Sequence, residues 1–106
     1  MGAFMQPQGH VQIFLALLDG LNPQSALDLP RFCITNGTDG AQVALEEGIP
    51  EKTIADLERR GHEVRRVAGY ERALFGRGQV ILRDNQNGIL TGGSDPRADG
   101  CAMTLI

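Results

Sequence analysis

The chain has 106 residues, of which 42% are hydrophobic and 22% are charged, a balance that is ordinary for a soluble globular domain. Thirteen acidic and ten basic residues give a net charge of −3. The basic residues are scattered apart from two arginine pairs, which argues against nucleic-acid binding. No stretch approaches the roughly 20 apolar residues needed to cross a bilayer, so we expect no membrane partner.

The sequence does not indicate the cellular compartment of the protein. No basic segment precedes an apolar segment and a small-residue cleavage site, so no signal peptide is visible; if a longer parent protein is exported, its signal would lie upstream. Cys33 and Cys101 lie far apart and in no metal-binding spacing. We expect both to be buried free thiols, with a disulfide or a reactive role as the alternative.

The first predicted helix covers residues 11–18, VQIFLALL. One apolar stripe at helical spacing consists of Val11, Phe14, Leu15 and Leu18. Ile13 and Leu17 lie on another face, so the helix is apolar nearly all round. Such a helix needs cover on several sides, which one small domain supplies with difficulty.

Two further helices are predicted. Asn22 as N-cap and Pro23 at the first position begin a short helix, and Pro30 ends it. A surface helix begins at Pro50 and ends before Gly61. Its inward edge would consist of Ile54 and Leu57, and its outward side would carry the Asp56–Arg60 pair.

Five strands are predicted, over residues 31–35, 42–46, 62–67, 79–83 and 89–92. The apolar run Val80-Ile81-Leu82 does not alternate, which suits a strand that is covered on both faces. Gly76-Arg77-Gly78 fits a tight turn that enters this strand better than a phosphate-binding loop, since neither a following helix nor a P-loop lysine accompanies it.

The run Ser94-Asp95-Pro96-Arg97 is the most distinctive polar motif. Pro96 fixes a turn, Asp95 can accept backbone N–H groups, and Arg97 can reach a carboxylate. We expect a rigid corner, with a direct catalytic role as the alternative. His10 has no acidic or cysteine partner at metal spacing, so we expect a packing or capping role for it and no metal site.

Several motifs occur together in a familiar order. They are GAFMQPQGHVQ at residues 2–12, LNPQSALDLPRF at 21–32, VALEEGIP at 43–50, FGRGQ at 75–79 and GGSDPRADGCA at 92–102. In this combination the chain closely resembles the carboxy-terminal part of the gamma-glutamyltransferase (gamma-glutamyltranspeptidase) family. The resemblance covers essentially the whole chain, so we treat residues 1–106 as a single carboxy-terminal fragment of the family's small subunit.

The resemblance implies an α+β fold in which helices pack on antiparallel strands, as part of an αββα Ntn-hydrolase sandwich. It also implies a precursor that cleaves itself and exposes a nucleophilic threonine at the start of the small subunit. That threonine would lie upstream of Met1, because every threonine present here is internal. We therefore expect the chain alone to be inactive, and no metal or organic cofactor is implied.

The family's oxyanion hole is a Gly-Gly pair whose backbone N–H groups stabilise the intermediate of acyl transfer. The matching residues here are Gly2 and Ala3. Alanine resists positive φ and adds a Cβ, so it affects the geometry of the hole. Its backbone N–H can still act as a donor, whatever the side chain. From the residues alone, a frayed terminus is the alternative interpretation of this segment. For the Asp95–Arg97 corner, our hypothesis is that it lies near the catalytic cleft.

The implied partners are the upstream remainder of the parent protein and a gamma-glutamyl or related amide substrate. Two other functions stay open. The chain could be a non-catalytic module that self-associates or binds a partner through exposed apolar faces, with a homodimer as one outcome. The second alternative is a cephalosporin-acylase-like amidase. In many family members polar residues follow the Gly-Gly pair, whereas FMQPQ stands here, which is more typical of a branch resembling cephalosporin acylases.

Overall fold

A computed structural model describes residues 4–105, which form three α-helices, one 3₁₀ helix and five strands. In chain order these are α1 (Met5–Leu18), α2 (Pro23–Asp28), β1 (Phe32–Ile34), β2 (Val43–Glu46), α3 (Glu51–Arg59), β3 (Val64–Val67), the 3₁₀ helix (Gly69–Phe75), β4 (Gln79–Arg83) and β5 (Leu90–Ser94). The predicted α+β class is confirmed. Within residues 4–105, no helix combines the length and apolar character that a membrane span requires.

Helix α1 begins six residues earlier than predicted, and the described chain buries only one of its apolar faces. Its buried residues are Met5, Gly9, Ile13 and Ala16. Because Gly9 and Ala16 are small, this side of the helix can lie close to its neighbours. The stripe of Val11, Phe14, Leu15 and Leu18 is exposed, and Phe14 and Leu18 keep 60% and 66% of their surface in solvent. The chain therefore covers one face of an apolar helix and leaves another uncovered.

Two glutamines of α1 bind the outer edge of β1. Gln12 accepts a hydrogen bond from the Phe32 N–H (2.9 Å) and donates one to the Phe32 carbonyl (3.0 Å). Gln8 makes the same pair of bonds with Ile34, at 2.8 and 3.0 Å. Four residues along a helix and two along a strand both span about 6 Å, so the two spacings match. The side chains of α1 thus take the place of a neighbouring strand.

The larger sheet has the order β1-β2-β3. Strand β1 pairs antiparallel with β2, as predicted, and Phe32 lies opposite Leu45. Strand β3 departs from the antiparallel expectation, because α3 connects β2 to β3 and brings the chain back to run parallel. Ile54 of α3 is buried against one face of the sheet, and Leu57 is packed beside it, as predicted.

Strands β4 and β5 form a separate antiparallel pair that packs on α2. The Asn22 side chain accepts the Ser25 N–H and caps α2, as predicted. Val80 packs on a cluster that includes Ile13 and Leu27. Its neighbour Ile81 keeps 74% of its surface exposed, so the cover expected on both faces of this strand is not provided by the described residues.

The described chain is less compact than a complete domain of its size. Its radius of gyration is 15.4 Å, whereas a compact domain of 100 residues has about 13 Å. Its accessible surface is 7424 Å², whereas a compact monomer of 11.4 kDa exposes about 5,800 Å². The excess of about 1,600 Å² is twice the area that each partner buries in a standard protein interface.

Candidate functional site

Gly2 and Ala3, the predicted oxyanion-hole residues, lie outside the described residues. Helix α1 begins at Met5, with Phe4 as its N-cap and no side-chain cap. The sequence therefore places both residues directly before the amino end of a 14-residue helix. That end carries a partial positive charge and backbone N–H groups without an intrahelical partner.

The Asp95 carboxylate joins two segments of backbone at the end of β5. One oxygen accepts the Arg97 N–H at 3.0 Å, which closes a turn around Pro96. The other accepts the Gly78 N–H at 2.7 Å. Gly78 is the last residue of the Gly76-Arg77-Gly78 segment, which forms the predicted turn into β4, with Gly76 at φ 87°. A Cβ at Gly78 would lie 2.5 Å from Leu27 Cδ2, so only glycine fits without a shift.

Arg97 is buried and uses its guanidinium fully. It donates to the Glu46 carboxylate at 2.7 Å, to Asp95 at 2.9 Å and to the Leu27 carbonyl at 2.8 Å. A further bond reaches the Leu29 carbonyl at 3.0 Å. Because its side chain is 0% exposed, Arg97 acts on the protein's own structure and has no free surface for a ligand.

The sequence did not indicate the other residues that contact Asp95 and Arg97. Arg31 pairs with Asp95 at 2.8 Å and donates to the Phe75 and Leu27 carbonyls, both at 3.0 Å. Glu46 accepts from the Arg31 N–H at 2.8 Å and from Arg72 Nε at 2.7 Å. Arg31 Nε is buried and has no hydrogen-bond partner among the described residues. We call this set the ionic cluster, which consists of Arg31, Glu46, Arg72, Asp95 and Arg97.

One local signal could have indicated Glu46. It ends β2, whose four residues are all buried, and a charged residue at a buried strand position requires a partner. The identity of that partner was not predictable, because Arg97 lies 51 residues further along the chain. Arg31 carries no such signal, since it lies between Pro30 and the first residue of β1.

Hydrogen bonds within the ionic cluster lower the pKa values of its two carboxyl groups. Burial opposes ionisation of Asp95, but hydrogen bonds from Gly78 and Arg97 hold its pKa below the usual range. Burial also opposes ionisation of Glu46, whose pKa is lowered by Arg97, Arg72 and the Arg31 backbone. Burial and the nearby Arg97 lower the pKa of Arg31, which still stays protonated at neutral pH. Both carboxylates are therefore ionised and paired, and neither is free for proton transfer.

A cavity of about 730 Å³ lies beside the ionic cluster. It is bordered by the 3₁₀ helix and by residues that follow β5, and Arg72, Arg77 and Arg97 line it. Arg77 is exposed and makes no hydrogen bond or ion pair within the described chain. The Arg97 side chain is fully buried, so Arg72 and Arg77 supply the guanidiniums that this cavity exposes, against one lining carboxylate, Asp99.

The remaining candidates lie apart from this cluster. Cys33 is buried and free, as predicted, and burial raises the pKa of its thiol. Cys101 is free but exposed, so the prediction of burial was wrong for it; residues 101–105 are all exposed and form no helix or strand. His10 is exposed in the second turn of α1, where it neither packs nor caps, because the helix begins earlier than predicted. Among residues 4–105, no group of three His, Cys, Asp or Glu side chains is placed to hold a metal.

Comparison with known proteins shows to which family the chain belongs. The family described as gamma-glutamyltranspeptidase matches residues 1–105. The chain belongs to the gamma-glutamyltranspeptidase family. The crystal structure of cephalosporin acylase from Bacillus halodurans superposes on this chain with a TM-score of 0.81 and 47% identity. That superposition covers 95% of this chain and 18% of the acylase chain.

Two curated relatives of this chain are proenzymes. The glutathione hydrolase-like YwrD proenzyme of Bacillus subtilis is 38% identical over 103 residues, which cover 94% of this chain and 19% of the relative. The oxamate amidohydrolase proenzyme of Klebsiella pneumoniae is 33% identical over 105 residues, which cover 96% of this chain and 20% of the relative. The chain thus spans about a fifth of the length of these curated relatives.

Proposed function

We propose that residues 1–106 form one carboxy-terminal unit of an Ntn hydrolase that transfers or hydrolyses a gamma-glutamyl or related acyl group. The nucleophile would be a threonine upstream of this chain, freed by cleavage of a precursor. The observation that carries the proposal is the match along nearly the whole chain to the gamma-glutamyltranspeptidase family, with 47% identity to a cephalosporin acylase. The proteins named as relatives act on amide bonds or are acylases, which supports an amide substrate.

In this proposal Gly2 and Ala3 supply backbone N–H groups to the oxyanion of the acyl-transfer intermediate. Their place in the sequence, directly before α1, supports it, because the positive end of the helix favours a developing negative charge nearby. Removing one oxyanion-hole donor costs about 10²–10³ in rate. The chain's own contribution to catalysis is thus a pair of backbone donors set before a rigid helix.

In this proposal the corner at Asp95 and Arg97 would help to hold the residues of the catalytic cleft in position. Both side chains are buried and paired, so they are positioning residues rather than residues that touch substrate. Through Arg31 and Glu46 the corner ties the end of β5 to β1 and β2. That the corner lies near the cleft is part of this proposal.

The partner in this proposal is the upstream remainder of the parent protein, which supplies the nucleophile and the rest of the substrate site. The chemistry uses a threonine and backbone donors, so no metal or organic cofactor enters it.

A second candidate is a non-catalytic module that binds a partner or a second copy. The exposed apolar side chains of α1 and β4, Phe14, Leu18 and Ile81 among them, favour it. In this case the chain would associate as it stands, without a precursor to cleave.

Activity assays on the parent protein and on this chain separate the candidates. We expect the parent to turn over at least one of a gamma-glutamyl anilide, an acyl-cephalosporin or oxamate, and the chain alone to turn over none. Turnover by the chain alone would show that it carries its own nucleophile. A parent that processes none of these amides and yet binds a partner would support the module.

The oxyanion hole is tested by two variants of the parent. Ala3→Pro removes the backbone donor, and we expect kcat to fall by about 10²–10³. Ala3→Gly keeps the donor and restores the family's glycine, so it should retain activity. Equal activity of the two variants would show that the Ala3 amide donates to no oxyanion.

A further inference from the structure

The outer edge of β4 carries backbone groups without partners. The pairing of Asp95 N–H with the Gly78 carbonyl, and of Asp84 N–H with the Ile89 carbonyl, fixes which residues of β4 face β5. By the alternation of an antiparallel pair, Val80 and Leu82 direct their N–H and C=O groups toward β5. Gln79, Ile81 and Arg83 direct theirs away, and the described chain offers these backbone groups no hydrogen-bond partner.

The chain closes two other strand edges with its own side chains. Gln8 and Gln12 occupy the outer edge of β1. On β5, Gln24 of α2 accepts the Ser94 N–H at 3.1 Å and donates to the Ser94 carbonyl at 3.0 Å. Unpaired edges promote aggregation, and proteins usually block them. The open edge of β4 therefore contrasts with the pattern that the same chain follows at β1 and β5.

The side chains of β4 also indicate a missing neighbour. Ile81 is 74% exposed and Leu82 is 46% exposed, while a terminal edge strand usually carries charges or proline along its length. Only Arg83, at the end of β4, is charged. The continuous apolar run suits a strand inside a sheet rather than the last strand of one.

We propose that β4 pairs along its outer edge with an extended apolar strand from the part of the parent polypeptide that lies outside residues 1–106. The fold of this chain superposes on a cephalosporin acylase of which it represents 18%, so a homologous chain adopts the same fold with more than four-fifths of its polypeptide outside the matched part. The excess exposed surface is large enough for such an addition. The inference rests on the chain working inside a longer polypeptide and not on the acyl-transfer chemistry.

Site-resolved hydrogen exchange on the parent protein tests this pairing. The amides of Val80 and Leu82, which bond to β5, are the protected internal control, and the exposed loop amides at 85 and 87 are the unprotected control. We expect the amides of Gln79, Ile81 and Arg83 to exchange at least about tenfold more slowly than the loop amides, at every protein concentration. Rapid exchange of these three amides while 80 and 82 stay protected would overturn the proposal.

Two further outcomes are distinguished in the same protein. Protection at Gln79, Ile81 and Arg83 that appears only as the parent dimerises would assign the edge to a second copy and would also overturn the proposal. A photo-cross-linking residue at position 81 should form a cross-link to a peptide outside residues 1–106 of the same molecule. None of these readouts needs turnover, so an inactive parent could still show the strand, and an active parent could still lack it.

Discussion

Arg97 is the residue on which the most separate parts of the chain converge. It bonds to the end of α2, to β2 and to the corner after β5. Removing one partner of a buried ion pair leaves an uncompensated charge, which costs about 3–5 kcal/mol. We expect Arg97→Ala in the parent protein to lower the free energy of unfolding by about this amount, as measured by urea denaturation.

The control for this variant is Arg77→Ala. Arg77 borders the same cavity but is exposed and makes no contact of this kind, so its loss should change stability by less than about 0.5 kcal/mol. If Arg97→Ala left both stability and kinetics unchanged, the corner would have neither a structural nor a positioning role.

The ionised carboxylates of Glu46 and Asp95 predict an acid-sensitive fold. The pKa of each is lowered in the folded state, so each stabilises the fold above its unfolded pKa of about 4. That stabilisation is lost as the pH falls from about 4 through the lower folded pKa values. We expect the free energy of unfolding to vary little between pH 6 and 7, and to decrease steeply below about pH 4.

Glu46→Gln provides the comparison. It removes one of the titrating groups, so its unfolding free energy should be lower at pH 7 but less dependent on pH below about 4. An acid dependence equal to that of the unsubstituted protein would mean that Glu46 does not contribute to it.

At the scale of elements, the contact between α2 and the β4–β5 pair depends on glycine. A Cβ at Gly78 would meet Leu27 Cδ2, and Leu27 is completely buried. Overpacking of a core costs about 1–3 kcal/mol, so we expect Gly78→Ala to lower the free energy of unfolding by that amount.

A double-mutant cycle checks the cause. Leu27→Ala alone should cost about 2–5 kcal/mol, but combined with Gly78→Ala it removes the clash. The double variant should therefore be more stable than the sum of the single effects predicts. Strict additivity would show that Gly78 and Leu27 do not press on each other.

The elements also show which features the sequence could predict. The caps of α2 and the pairing of β1 with β2 depend on neighbouring residues, such as Asn22 and Pro23, so local rules predicted them. The buried face of α1 was not predictable in this way, because the helix is apolar nearly all round and periodicity gives no preference between its faces. The ion pairs of Arg31 with Asp95 and of Glu46 with Arg97 join residues 64 and 51 positions apart, which no local pattern encodes.

At the scale of the whole molecule, the exposed apolar surface predicts how the isolated chain behaves. With about 1,600 Å² more surface than a compact monomer, it should self-associate in a concentration-dependent manner, which sedimentation velocity would detect. Phe14→Lys and Leu18→Lys should weaken the association. Tyr70→Lys, at a fully exposed site outside α1 and β4, is the matched control.

A soluble monomer with a cooperative melt would contradict this expectation. It would show that the chain covers its own core sufficiently, and that the open faces of α1 and β4 do not need a partner.

The amino-terminal residue of the small subunit of the parent protein tests the central claim most directly. Intact-mass analysis of the purified parent, followed by amino-terminal sequencing of the fragment that contains residues 1–106, supplies it. We predict two fragments, with threonine at the start of the smaller one. A single uncleaved polypeptide, or a different first residue on that fragment, would contradict the account of an Ntn hydrolase that acts through an upstream threonine.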